Sequence, residues 1–177
     1  MRGPRLVLAA IALAAAAPIA AAQPPTLEFP VKAAFLYKFG AYVEWPASAF
    51  PSPASPFTVC VVGHDPFGAL LDRSVQGQTV GARPIVVRRV GVATGAAGCH
   101  IAFVGGSSEH PAAAALKALA GAPVLTVTDG PVNEGRGAIH FIVTANRVRF
   151  IIDLRAAAAG GLTVSSKLLN LAAEVDR

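Results

Sequence analysis

Three short runs, Phe57 to Val62, His100 to Val104 and Val124 to Val127, are apolar almost throughout and end in Gly, Ser or Asp. A strand with one wet face alternates polar and apolar residues, so continuous runs of this length read as strands buried on both faces. A further β-type run, Pro84 to Val90, lies between the first two. Helical patterns separate some of these runs. Asp65-Pro66 opens a helix through Leu70 and Leu71, with Asp65 as its N-cap. Glu109-His110-Pro111 opens an Ala-rich helix through Leu119, with proline at an early position and Gly121 at its end. Strand, helix, strand repetition predicts a parallel sheet covered by helices on both faces.

The flanks add four elements. Val31 to Val43 is long enough for a helix that Trp45-Pro46 ends, and only Lys32 and Lys38 interrupt its apolar surface, so it is expected in the core or under a partner. Ala47 to Pro56, with three prolines, is a loop. Ala138 to Thr144 and Arg147 to Leu154 form a hairpin about Ala145-Asn146, with Ile139, Phe141 and Val143 alternating against His140, Ile142 and Thr144. After Gly160-Gly161, Ser165 or Ser166 caps a last helix, Lys167 to Val175, with Leu168, Leu169 and Leu171 facing the body. The expected fold is α/β: one domain over residues 23–177 with a mixed, mostly parallel central sheet, helices on both faces, and a C-terminal hairpin and helix.

Residues 1–22 read as a cleavable secretory signal. Arg2 and Arg5 form a positive n-region, Leu6 to Ala17 a short apolar run, and Ala20-Ala21-Ala22 a small-residue cleavage site. The run is shorter than the roughly 20 apolar residues that cross a bilayer, and Pro18 breaks it. The mature chain, about 155 residues from Gln23, is then expected in the periplasm. The formal charge of +5 includes Arg2 and Arg5; without them 13 basic residues face 10 acidic, leaving +3. That mild excess, with Arg88-Arg89 as its one basic doublet, argues against nucleic acid as a partner.

Cys60 and Cys99 belong to a chain bound for an oxidising compartment, where a cysteine pair is more often bridged than free. Strand register opposes the bridge. Cys60 precedes Gly63 by three residues and Cys99 precedes Gly105 by six, so flush parallel strands hold the sulfurs about 10 Å apart. A bridge therefore requires a stagger or a bend.

Catalytic chemistry finds little support. Gly63-His64-Asp65-Pro66-Phe67-Gly68 sits at a strand-to-helix turn but lacks the Lys-Ser/Thr of a phosphate loop. His64, His100, His110 and His140 fall on separate elements without metal-ligand spacing, so no metal is expected. Cys99-His100 puts two side chains on opposite faces of one strand, and no G-x-S-x-G elbow occurs. Asp65, Asp72, Asp129 and Asp153 read as caps and surface charges. One constellation stands out: His64, Asp65, Ser107, Ser108, Thr128 and Asp129 all fall at strand carboxyl ends, the crevice in which open α/β sheets bind ligands.

Together these segments resemble the YfiR-like periplasmic proteins from Val31 to Ala173. The match is carried by VKAAFLYKFGAYVEWP from Val31, FTVCVVGHDPFGALLD from Phe57, GARPIVVRRV from Gly81, CHIAFVG from Cys99, VLTVTD from Val124, and IHFIVTANRVRFIIDLRAAAAGGLTVSSKLLNLA from Ile139. The resemblance implies an α/β sandwich and a secreted regulator without catalytic residues or a cofactor. The namesake represses a membrane-bound diguanylate cyclase by binding its periplasmic part, and an outer-membrane lipoprotein withdraws it. Cys60 and Cys99 match a family pair able to form a disulfide, whereas the stretch matching a second pair, Gly130 to Ile142, has no cysteine. The expected partners are the periplasmic domain of an inner-membrane signalling protein, such a lipoprotein, and a second copy of the chain. Phe35, Tyr37, Phe39, Tyr42 and Trp45 are the candidate partner surface, because the first helix carries more apolar surface than one packing face needs. The rival reading is a periplasmic small-ligand binder or a hydrolase that uses the strand-end crevice.

Overall fold

A computed structural model describes residues 27–106, 111–131 and 134–177. The expected signal segment 1–22 lies outside these residues, as do Ser107, Ser108, Glu109 and His110. In chain order the helices are α1 (Glu28–Lys38), α2 (Ala69–Val75), α3 (Ala112–Leu119), α4 (Leu154–Ala159) and α5 (Ser166–Leu169). The strands are β1 (Val43–Glu44), β2 (Phe57–Gly63), β3 (Thr79–Val80), β4 (Arg83–Val90), β5 (Ile101–Gly105), β6 (Leu125–Asp129), β7 (Ile139–Thr144), β8 (Arg147–Asp153), β9 (Thr163–Val164) and β10 (Glu174–Asp176). Eight of them form one sheet in the order β10-β8-β7-β6-β5-β2-β4-β3. From β4 to β7 the pairings are all parallel, β8 returns antiparallel to β7, and β10 lies parallel to β8. The mixed α/β fold read from the sequence is the one observed.

The continuous apolar runs explain the layering. Phe57 to Val62 are all buried, and so are Ile101 to Val104. Phe57, Val59, Val61, Ile101 and Phe103 face α1 and α2, where Ala33, Leu36, Leu71 and Val75 close over them. Cys60, Val62, Ala102 and Val104 face the other way, against Ala112 and Leu119 of α3. Asp153 caps α4 by accepting from the Arg155 and Ala156 N–H groups at 2.9 and 3.0 Å. Ser165, rather than Ser166, is the N-cap of α5.

Three elements differ from the sequence reading. The first helix begins at Glu28 and tightens to a 3₁₀ turn over Phe39–Tyr42, because Val43 and Glu44 extend to pair with Val164 and Thr163. Asp65 does not cap α2 directly: its carboxylate accepts from Phe67 and Gly68 N–H in a turn, and the helix starts at Ala69. The last helix stops at Leu169 instead of reaching Val175. There the chain turns, Ala173 N–H donates to the Phe150 carbonyl, and Glu174–Asp176 joins the sheet edge beside β8. Leu168 packs into the body, but Leu171 is exposed.

Cys60 and Cys99 are joined in a disulfide, with Cα atoms 5.8 Å apart. The register is flush, Gly63 facing Gly105, so a straight β5 would carry Cys99 level with Phe57, three residues from Cys60 and out of reach. A bend resolves this. Gly98 takes φ +75° and Cys99 N–H donates to the Ala96 carbonyl, which folds Cys99 back over the face onto which Cys60 points. Closing this loop stabilises the fold by about 4 kcal/mol in the chain-entropy treatment. Protein purified without reductant is therefore expected to show no free thiol when counted in denaturant. The paired Cys60→Ser and Cys99→Ser variant should lose about that stability in urea unfolding, at most 5 kcal/mol.

The hairpin turn carries a local cost. Ala145 and Asn146 have φ of +50° and +58°, the double left-handed geometry of a tight two-residue turn, and alanine has no side-chain group to offset it. Ala145→Asn combined with Asn146→Gly is expected to raise stability by about 1 kcal/mol, read as a shift of the urea midpoint at constant slope.

Candidate functional site

The four strand-end candidates among the described residues, His64, Asp65, Thr128 and Asp129, do not converge on one site. At the end of β2 the chain crosses β5 closely: a Cβ on Gly63 would stand 2.5 Å from the Gly105 carbonyl oxygen, and one on Gly105 would run into the His64 carbonyl. His64 N–H donates to that Gly105 carbonyl, and the His64 side chain lies exposed. The glycines serve chain crossing. Asp65 turns toward the edge of the sheet, where it accepts from Arg89 Nε at 2.7 Å, and Arg89 also donates to Asp72 and to the Gly68 carbonyl. Burial pushes the Asp65 carboxyl up, but Arg89 and the Phe67 and Gly68 N–H groups outweigh it, so the group lies below the usual range. Hydrogen bonding from Arg89 likewise lowers Asp72. This ion cluster ties the β2–α2 turn to β4.

Thr128 and Asp129 lie two strands away, about 10 Å across the sheet, and point to opposite faces. Thr128 Oγ1 accepts from Gly137 N–H at 2.9 Å and is hydrogen-bonded to His140 Nδ1, also at 2.9 Å. Asp129 faces α1 and accepts from Lys32 Nζ at 2.6 Å. Lys32, only 1% exposed, is also bonded to Glu28 one turn earlier and stands 5.5 Å from the Phe29 ring centre. The sequence reading saw Lys32 only as an interruption of an apolar helix. The spacing of Glu28 and Lys32, one helical turn, was its available signal.

The aromatic candidates divide as sharply. Phe39 is 1% exposed and packs with Phe141 and Phe150 at ring distances of 5.8 and 5.2 Å, so it belongs to the core and not to a partner surface. Phe35 is half-buried against the same two rings. Trp45 is also half-buried: it meets Phe57 edge-on at 5.0 Å and donates from Nε1 to the His100 carbonyl. Tyr37 and Tyr42 are half-buried and pack on the core. The free side of α1 consists of other residues: Leu27, 75% exposed just before the helix, then Pro30, Val31 and Lys38.

His100 and His140 are buried and hydrogen-bonded. His100 stacks between Phe50 and Phe57, accepts from Thr58 N–H at Nδ1 and faces the Ala49 carbonyl with Nε2. Burial pushes both imidazoles below their usual pKa of about 6.5, so the folded protein holds them neutral. The unfolded chain then binds more protons below that pH, and stability falls as pH drops from about 6.5 toward the lowered folded values. The slope steepens with the depth to which burial lowers each folded value. Urea unfolding between pH 7.5 and 5 should show this slope, and His140→Gln should flatten it.

Among the described residues no group of three or more His, Cys, Asp or Glu could hold a metal ion. Likewise, no helix there is long and apolar enough to cross a membrane. No curated protein matches the chain. The sequence pattern of one family does, over residues 29–173, from the first turn of α1 to the last residue before β10. With that span matched, the chain belongs to the YfiR/HmsC-like family.

Proposed function

We propose that this protein is a periplasmic, non-catalytic regulator that binds the outer part of a membrane-bound diguanylate cyclase or related sensor and represses it, lowering cyclic di-GMP. Family membership over residues 29–173 is the observation that carries this reading. The strand-end chemistry agrees with it. Asp65, Asp72, Asp129 and Lys32 are engaged in ion pairs, while His100 and His140 are held neutral by burial. A binding protein needs surface rather than reactive groups. The surface offered here is the free side of α1, where Leu27 and Val31 stand exposed one turn apart beside Pro30. An outer-membrane lipoprotein that competes for this surface would relieve the repression.

Deleting the gene is expected to raise cyclic di-GMP in a cell that expresses the cyclase. The wild-type gene should restore the low level, and a Leu27→Asp, Val31→Asp variant should not. Both positions are exposed, so the variant should unfold at the wild-type urea midpoint. Unchanged cyclic di-GMP on deletion would overturn the regulatory reading. Full restoration by the variant would remove α1 as the docking surface.

A further inference from the structure

We propose that the carboxyl ends of β2 and β5 hold a binding site for a small uncharged apolar molecule, of the size of one substituted ring or a short alkyl chain. A cavity of about 250 Å³ opens there, between α3 and the segment Gly91–Thr94. Val62, Gly63 and Gly105 form its floor, Val92 and Thr94 one wall, and Ala115 the other. Among the described residues of the wall, Thr94 supplies the one side-chain hydroxyl and none is charged. An apolar cavity of about 150 Å³ stays dry and takes up benzene, so the volume here accommodates a ring with a substituent. The described lining favours an uncharged ligand, because none of these residues would offset the desolvation of an ion.

The topology places this cavity where a ligand site forms. After β2 the chain crosses through α2, on the α1 side of the sheet, to reach β4. After β5 it crosses through α3, on the opposite side, to reach β6. Adjacent strands whose connections leave toward opposite faces open a crevice beyond their carboxyl ends, and ligands of open α/β sheets bind at this switch point. The cavity occupies that crevice, on the α3 side.

Its walls are set before any ligand arrives. Arg88 donates to the Gly95 carbonyl at 2.6 Å and to the Ala97 carbonyl at 3.0 Å, and the Cys60–Cys99 bridge anchors the other end of the same loop. On α3, Leu119 fills the space beneath the helix at its last turn, whereas Ala115 and Ala118 face the cavity with a single carbon each. The volume is therefore a consequence of short side chains on a braced frame. The site lies on the sheet face opposite α1, so the proposal does not depend on the regulatory reading.

The test is thermal unfolding of the mature, disulfide-bonded protein with benzene, toluene and, as the charged counterpart, benzoate. Benzene and toluene are expected to raise Tm by about 2–4 °C at about five times Kd, and benzoate to leave it unchanged. Amide shifts on adding toluene should centre on Gly63, Gly105 and Ala115. Ala115→Leu, which fills the cavity, and Ala118→Leu, at its exposed rim, should each abolish the toluene shift. The rim variant keeps the test decisive if the inner one fails to fold. No Tm change with either apolar probe up to its solubility overturns the proposal, as does an equal response to benzoate or a toluene shift that survives the filling variants.

Discussion

Burial of β2 and β5 on both faces is the constraint on which the rest of the structure depends. Six consecutive residues of β2 and four of β5 are removed from water, so each strand needs cover on two sides. A helix covers only one side, and the connections after these neighbouring strands therefore leave in opposite directions, through α2 and α3. The loop from β4 back to β5 must then pass over the α3 face, and its return bend at Gly98 brings Cys99 to Cys60. Layering, disulfide and strand-end cavity are three results of one burial requirement.

The interior also accepts polar groups, each with its partner in place. An unpaired amine or imidazole would be costly in such a setting. Lys32 is buried with Asp129 and Glu28, and His100 and His140 lie among backbone and hydroxyl partners. Among the described residues no buried side-chain nitrogen or oxygen lacks a hydrogen-bond partner. These pairings pin α1 to β6, the β1 region to the start of β5, and β6 to β7. The buried lysine and histidines thus fasten neighbouring elements to one another.

The two faces of the sheet consequently differ in what they offer. The α1 side is thick with aromatic rings, and Phe35, Phe39, Phe141 and Phe150 interlock at centroid distances between 5.2 and 6.4 Å. Such packing makes a rigid helix with an exposed aliphatic side, a suitable platform for a protein partner. The α3 side is built from alanine, glycine and valine around a disulfide. Small residues on a braced frame leave room for a small molecule.

Much of this was legible in the chain itself. Continuous apolar runs identified the buried strands, alternation identified the hairpin, and Ala145-Asn146 marked its turn, because these signals depend on neighbours in sequence. The motifs from Val31 to Ala173 were also enough to indicate the family. What the tertiary structure alone decided depends on groups distant along the chain. Ala173 N–H found the Phe150 carbonyl and turned an expected helix into an edge strand, and Lys32 found Asp129, 97 residues away. Phe39 went into the core while Val31 remained outside, since which side of an apolar helix meets the sheet is set by the sheet and not by the helix. Thr128 and Asp129 close β6 and His64 and Asp65 follow β2, yet Asp65 and Asp129 end on charges at opposite sides of β5, because each carboxylate is drawn to the nearest cation and not to a common centre.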